Sequence, residues 1–442
     1  MTVVLSGGTV VTTLDPPSLT RADVVIDNGR VRAIGMSPPD RGERIDATGC
    51  ILIPGNVCAH HHLYSELARG MPFRLDPPRN FLQILQRVWW RLDRALDGEG
   101  VSLSAWAGGA DAVLAGTTTV FDHHSSPNAI EGSLTHVGAA LEELGLRSVL
   151  CYEVSDRDGP QRAAAAIQEH RRFGARTHPF ARTMVGAHAS FTLSDETLAS
   201  CVKLAEELDT GIHIHVAEDS VDEADAGKRF GRRVVERLAA AGALTGRSLM
   251  AHCVHVDERE ATLIHEAGAW VAHNVRSNMA NRVGRAPVAG LGTRLVIGTD
   301  GVDGDMFAEA RVAYFRAREA DASVGPEWAL SRMAASARLA GTVFGEPLLG
   351  RIEQGAPADV LVLAYDPPTP ITNENLAGHF VYGMRAAHVR DVLVGGEVVV
   401  RGGRLAKVSE TDIRAKCRDY AEQLWRRLDG IEAHPFAPQG VP

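Results

Sequence analysis

His60 and His62 stand two residues apart in VCAHHHLYSELARG, residues 57–70, with His61 between them. In an extended strand alternate side chains share a face, so His60 and His62 point one way and His61 the other. Such a pair can grip one metal ion. It can equally be two buried histidines bonded to backbone carbonyls, and the remainder of the chain has to decide.

What decides is where the other metal-binding and acidic residues fall. Eight apolar runs read as strands: CILIPGNVCAH, TTTVFDHH, RSVLCYEV, TMVGAHA, GIHIHVAE, SLMAHCV, WVAHNV and RLVIGTDG. At or just past their C-terminal ends stand His60 and His62, His123, Glu153, His188, His215 with Glu218, His252, His273 and Asp300. Between about residues 100 and 340, Ala-, Leu- and Glu-rich stretches of helical spacing separate the runs. This is the pattern of repeated βα units. Eight such units predict a (β/α)8 TIM barrel, whose active site lies at the C-terminal ends of its strands. Histidines with structural duties alone would scatter over both ends, so their concentration at one end favours the metal reading.

The flanks have a different texture. Before residue 50 and after Gly350 the chain reads as short strands, among them VVLSGGTVV, ADVVIDNGRVRAIG with the hairpin signal Asn28-Gly29, and VRDVLVGGEVVVRGG. The expected fold class is therefore α/β. Residues 1–54 and 346–442 should form one small β-sandwich built from both termini, and 55–345 the barrel. The chain closes with a helix, SETDIRAKCRDYAEQLWRRLD, opened by Ser409 and apolar along Ile413, Cys417, Tyr420, Leu424 and Leu428.

With 442 residues and 45% hydrophobic content, the chain can bury a large core. A net charge of -9 without a long basic run argues against a nucleic-acid partner and for a small molecule. No basic leader precedes an apolar stretch, and no window reaches the roughly 18 apolar residues of a membrane helix. A soluble, cytoplasmic protein with no membrane partner is expected. The six cysteines lack C-x-x-C spacing, which fits a reducing compartment and disfavours a thiolate metal site.

Through PGNVCAHHHLYSELARG, GAHASFT, HIHVAED, AHCVH, AHNVRSNM, GTDG and GRIEQGAPADVLVL the sequence resembles the amidohydrolase superfamily over nearly its whole length. Within it the resemblance is to the branch of triazine chlorohydrolases and aminopurine or pterin deaminases. NFLQILQRVWWRLDRALD, DHHSSPN and HNVRSNMANRVG are similar to SsnA-type aminohydrolases. The resemblance implies metal ligands at His60, His62, His215 and Asp300, and an acid/base carboxyl at Glu218. It places His188 and His252 at substrate- or water-contacting positions. His61 departs from the pattern, which commonly carries Asn or another small polar residue there. Trp89, which with Trp90 offers an aromatic surface to a planar ring, and Asn278 are expected to contact substrate. A homo-oligomer, taken as a dimer, rests on the resemblance alone.

Three imidazoles and one carboxylate suit one divalent ion per chain, Zn2+ before Fe2+, with a position left for water. Two ions bridged by a carbamylated lysine are not expected, because the first lysine is Lys203, beyond the fourth strand. The expected reaction is deamination of an aromatic N-heterocycle, an aminopurine, pterin or related ring, by attack of metal-bound hydroxide. Asp300 would take the proton of the water, Glu218 would protonate the ring nitrogen, and His252 would steady the tetrahedral centre. Ring opening of an oxidised purine or cyclic amide, and hydrolytic dechlorination or dealkylamination, are the alternatives on the same residues. A barrel kept as a binding module is disfavoured, because all four ligands and Glu218 are present.

Overall fold

The computed structural model describes residues 2–35, 42–176 and 178–440. Its centre is a ring of parallel strands formed by the eight apolar runs. Asn56–His61, Thr117–His124, Arg147–Tyr152 and Ala181–Thr183 pair in that order as one sheet. Val185–Ala189, Ile212–Val216, Leu249–His252, Trp270–His273 and Leu295–Ile297 pair as a second. Every residue of Asn56–His61 and Thr117–His124 is buried. Strands covered on both faces need such continuous runs rather than an alternating pattern. The covering helices carry local stop signals. Asp257 and Glu260 form a capping box at the start of Glu258–Ala267, and Gly268, at φ 64°, ends it.

TMVGAHA is shared between the two sheets. Ala181 pairs with Ser148 of the third run, whereas Val185 pairs with Ile212 of the fifth. Single bridges join the sheet edges, Val154 to Ala187 at one seam and His61 to Asp300 at the other. At the second seam the amides of Thr299 and Asp300 both donate to the His60 carbonyl at 3.0 Å. The architecture is TIM-barrel-like, in two arcs, and one seam ties the first strand's histidines to the acid of the eighth.

Strands from both chain ends form one nine-stranded sheet. Ile51–Pro54 runs antiparallel to Val360–Leu363, with Leu52 opposite Val362. Asn28 and Gly29, at φ 48° and 79°, make the expected hairpin turn. At its far edge the strand Arg30–Gly35 meets residues 355–357, which lead into Val360–Leu363. Arg30 bridges Pro357, and Val31 takes and gives hydrogen bonds at 2.8 and 2.9 Å with Gly355 and Ala356. Val3, Leu5, Val24, Ile26, Leu52 and Val360 form a buried apolar cluster here.

The terminal helix, Glu410–Asp429, buries the five residues of its apolar face. It packs on the barrel helix Gly98–Leu114. Beyond it the chain returns to the barrel mouth and lies along residues 81–95, a helical segment with a π-helical turn at Leu85–Trp89. There the amide of His434 donates to Gln86 O at 2.9 Å, and Arg91 Nε to Ile431 O at 2.6 Å. No helix among the described residues is long and apolar enough to cross a membrane.

Candidate active site

The site is built where the strands stop. Ala217, His252 and Asp300 take left-handed backbone, at φ 45°, 73° and 54°. Non-glycine residues carry such strain at a cost of about 1–3 kcal/mol each, and they do so mostly at functional centres. Ala217 turns the chain directly after Ile212–Val216, so that His215 and Glu218, which a straight strand would set on opposite faces, both reach the centre. Asp222 Oδ2 accepts the Ala217 amide at 2.8 Å and pins the turn.

Hydrogen bonds set the tautomers of two of the four expected ligands. His62 Nδ1 donates to His123 O at 2.6 Å, and His215 Nδ1 to His188 O at 2.7 Å. A carbonyl only accepts, so in the neutral rings that a metal ion requires each Nε2 carries a lone pair, and these two atoms lie 3.1 Å apart. Asp300 Oδ1 is 3.0 Å from His62 Nε2 and 3.6 Å from His60 Nε2, and the latter is buried without a hydrogen-bond partner. Acceptors facing one point repel unless a cation lies among them. Two ligand atoms about 2.0–2.1 Å from a tetrahedral ion stand about 3.3 Å apart. The donor set therefore fits a divalent ion, which His60, His62, His215 and Asp300 would hold.

A further layer of side chains backs these four. His213 Nε2 meets His60 Nδ1 at 2.8 Å, and Ser277 Oγ donates to Asp300 Oδ2. His61 points away from the pair, as strand geometry requires, yet it is not idle. Its Nδ1 lies 2.6 Å from Asp300 O and 2.9 Å from Thr299 Oγ1, and its Nε2 faces Glu66 at 3.4 Å. The departure from the family pattern thus braces the backbone of the eighth strand's acid.

Glu218 Oε2 lies 3.5 Å from His252 Nε2, and Oε1 lies 3.5 Å from Asn281 Nδ2. Burial, and then the Asp300 charge, push its carboxyl well above the usual carboxylate range, which favours the proton-bearing form. Burial lowers His252 and keeps it neutral. Its Nδ1 donates to Asn278 Oδ1 at 2.8 Å, so Nε2 is the acceptor, approached by Asn274 Nδ2 at 3.4 Å and facing Glu218 and, at 3.8 Å, Asp300 Oδ2.

A cavity of about 340 Å³ opens over this centre. His62, His215, Glu218 and Asp300 line it, together with Phe81, Leu85, Trp89, Trp90 and His188. Trp89 and His188 thus stand where a substrate would touch them. Asn278 does not, which corrects the expectation for that residue. From the helix Val275–Ala280 and its C-cap the cavity takes Ser277, Ala280 and Asn281, the i, i+3, i+4 face; Asn278, one step round, is hydrogen-bonded to His252 instead.

Several lining residues escaped the sequence reading. Ser277 and Asn281 were hidden inside a motif whose helical phase was unknown. Behind the lining, the rings of His434 and Phe436 lie 5.3 and 5.8 Å from Trp90, and a Pro-containing tail offers no periodicity that could have announced them. Glu153 was visible as a strand-end acid, but not its buried partner Arg157.

A TIM-barrel-like ring that holds a divalent-ion donor set at its strand ends, beside a carboxyl of raised pKa, defines a metal-dependent hydrolase. The chain belongs to the amidohydrolase family, whose profile matches residues 51–399. It is 32% identical over 426 residues, 92% of this chain and 94% of the relative, to the 5-methylthioadenosine/S-adenosylhomocysteine deaminase of Desulforudis audaxviator. In fold it is similar to an adenosine deaminase from Xanthomonas campestris solved with bound zinc. That match has a TM-score of 0.83 and 24% identity and covers 97% of this chain and 99% of that one. It is also similar to the atrazine chlorohydrolase of Arthrobacter aurescens TC1 complexed with zinc, with a TM-score of 0.81, 22% identity, and 95% and 100% of the two chains covered.

Proposed function

We propose that this amidohydrolase is a mononuclear deaminase of an aromatic N-heterocycle, an adenosine-like aminopurine, a pterin or a related ring. One observation carries the reading. Glu218, with its proton, and His252, with its lone pair, stand 3.5 Å apart beside the four-donor set under an aromatic-walled cavity. When bound, a divalent ion brings the pKa of water to about 7 and so supplies a nucleophile at neutral pH. Asp300 takes up the proton that the attacking water gives up. Glu218 delivers its proton to the ring nitrogen next to the attacked carbon, which makes that carbon electrophilic. His252 accepts a hydrogen bond from the incoming water and orients it. Trp89, Trp90 and Phe81 hold the ring and exclude bulk water. Asp300 then hands its proton to the exocyclic amino group, the C–N bond breaks and ammonia leaves, while the hydroxyl proton of the tetrahedral centre passes back to Glu218 as the carbonyl forms.

Zinc, one ion per chain, is the metal in this reading, supported by the nitrogen and oxygen donors and by zinc in the two similar structures. The reading also takes residues 55–345 as the catalytic unit, with 1–54 and 346–442 as its flanking unit, supported by the pairing of Ile51–Pro54 with Val360–Leu363. A cytoplasmic homodimer belongs to the same reading, and light scattering at micromolar concentration checks the dimer.

The test is a screen of zinc-loaded protein against adenosine analogues, aminopurines, pterins and triazines. Ammonia release with a mass gain of about one unit supports deamination. Water addition without release, or loss of chloride or an alkylamine, replaces it with the corresponding hydrolysis.

A further inference from the structure

We propose that Glu153, together with His188, forms a recognition subsite for a substrate edge that presents two hydrogen-bond donors. The inference rests on the deaminase reading and names the chemistry its substrate must carry.

Glu153 follows Arg147–Tyr152, and its amide is tied to His124 O at 2.7 Å. The side chain is 4% exposed and lines the cavity. Arg157 Nη1 donates to its Oε1 at 2.6 Å, while Nη2 reaches Asp93 Oδ2 at 2.5 Å and Ser125 Oγ at 2.9 Å. A buried guanidinium held on three sides is a permanent counter-charge. Burial opposes ionisation of Glu153, yet the Arg157 guanidinium on its Oε1 holds the carboxyl below the usual range. The mechanism above leaves this carboxylate unused.

Its other neighbours bring no donor. His188 Nδ1 donates to Thr192 Oγ1 at 2.7 Å, and that hydroxyl is committed to Ala189 O at 3.1 Å. The His188 Nε2 lone pair therefore faces Glu153 Oε1, 3.7 Å away. His123 Nε2 donates to His213 O at 3.0 Å, so in the neutral ring Nδ1 is bare too. It lies 3.4 Å from Glu153 Oε2, buried and without a hydrogen-bond partner. Several acceptors thus converge, and those of Glu153 and His188 open on the cavity. Buried acceptors without donors are costly, so a ligand that supplies donors is selected. A second divalent ion is the competing occupant. Arg157, already seated on the same carboxylate oxygen, opposes it by charge.

Two sources could present such an edge, vicinal hydroxyls of a sugar or an N–H/NH2 pair of a ring. Calorimetric titration of zinc-loaded protein separates them with two matched pairs, adenosine against 2',3'-dideoxyadenosine and 2,6-diaminopurine against adenine. The wild type should bind the donor-bearing member of one pair at least about tenfold more tightly, and Glu153→Gln should bring that ratio to about one. A ratio taken within one preparation does not move with the fraction of folded protein. Ammonia release is read separately, so donor-dependent binding without turnover overturns the deaminase reading and leaves the subsite standing. Absence of preference in both pairs, or a preference that survives Glu153→Gln, overturns the subsite. So do two ions per wild-type chain that fall to one in the variant, which assign these residues to a second cation.

Discussion

Glu218→Gln keeps the volume of the side chain and an oxygen for Asn281 Nδ2, now 3.5 Å away, but removes the transferable proton. Because burial and the Asp300 charge favour the protonated native carboxyl, the exchange swaps one neutral group for another and strips no charge from an ion pair. The unfolded glutamate is ionised at pH 7 and must take up a proton to fold, so the variant should be the more stable protein there, and the difference should close as pH falls below the ordinary glutamate pKa. Glu218 is not among the four donors that converge on the ion position, so metal content should stay at the wild-type level. Turnover should fall by roughly two to four orders of magnitude, the usual worth of a positioned acid, or about 2.7–5.5 kcal/mol of barrier. The pH profile carries the sign. The proton-bearing form is the active one, so wild-type kcat/KM falls as pH climbs through the raised folded-state pKa, and the Gln variant should lack that alkaline limb. Folding obeys the same linkage. A carboxyl whose pKa is raised on folding favours the folded state least above that pKa, and the variant loses this dependence. Ammonia release, elemental analysis and calorimetric binding of a substrate from the screen read the three quantities. Activity within about threefold of wild type refutes Glu218 as the proton donor, and lost metal refutes its separation from the ligands.

His60→Ala, His62→Ala, His215→Ala and Asp300→Ala should each lower metal content in elemental analysis. His61→Asn should retain metal, because its contact is with the Asp300 carbonyl at 2.6 Å. Gly298→Ala should also deplete the ion, since a Cβ there would come within 2.7 Å of His60 N and Cβ; a normal metal content would show that the two strands can part. His170 accepts from the amides of Tyr152 and Gly186 at 3.0 and 2.9 Å, and burial lowers it from 6.5 to about 4. Its stabilisation is complete above pH 6.5 and is lost as pH falls toward 4, about 3 kcal/mol in all. His170→Gln should therefore unfold at lower urea than wild type at pH 7 and show a flatter acid slope in denaturation. Removal of residues 431–442 takes away the rings that abut Trp90, so KM should rise with metal content unchanged, and limited proteolysis within 81–95 should quicken.

Local pattern was enough for much of this protein. The eight runs were legible because both faces of a barrel strand are apolar, and their ends because the side chains there turn polar. The spacing of His60 and His62 settled which face they share, and Asn28-Gly29 announced its turn because few residue pairs accept two positive φ angles. Glu218 could be named, but a straight strand would have aimed it away from His215. Only the left-handed Ala217, pinned by Asp222, explains how both arrive. The division of TMVGAHA between two sheets and the meeting of Val31 with Ala356 depend on partners far away in the chain. So do the hydrogen bond between His252 and Asn278, the Asp93–Arg157–Glu153 network and the tail laid on Trp90. Periodicity and turn chemistry act over a few residues and can be read directly. The phase of a short helix, the partner of a buried charge and the course of an aperiodic tail are decided by packing among distant segments, which leaves no repeating mark on the sequence.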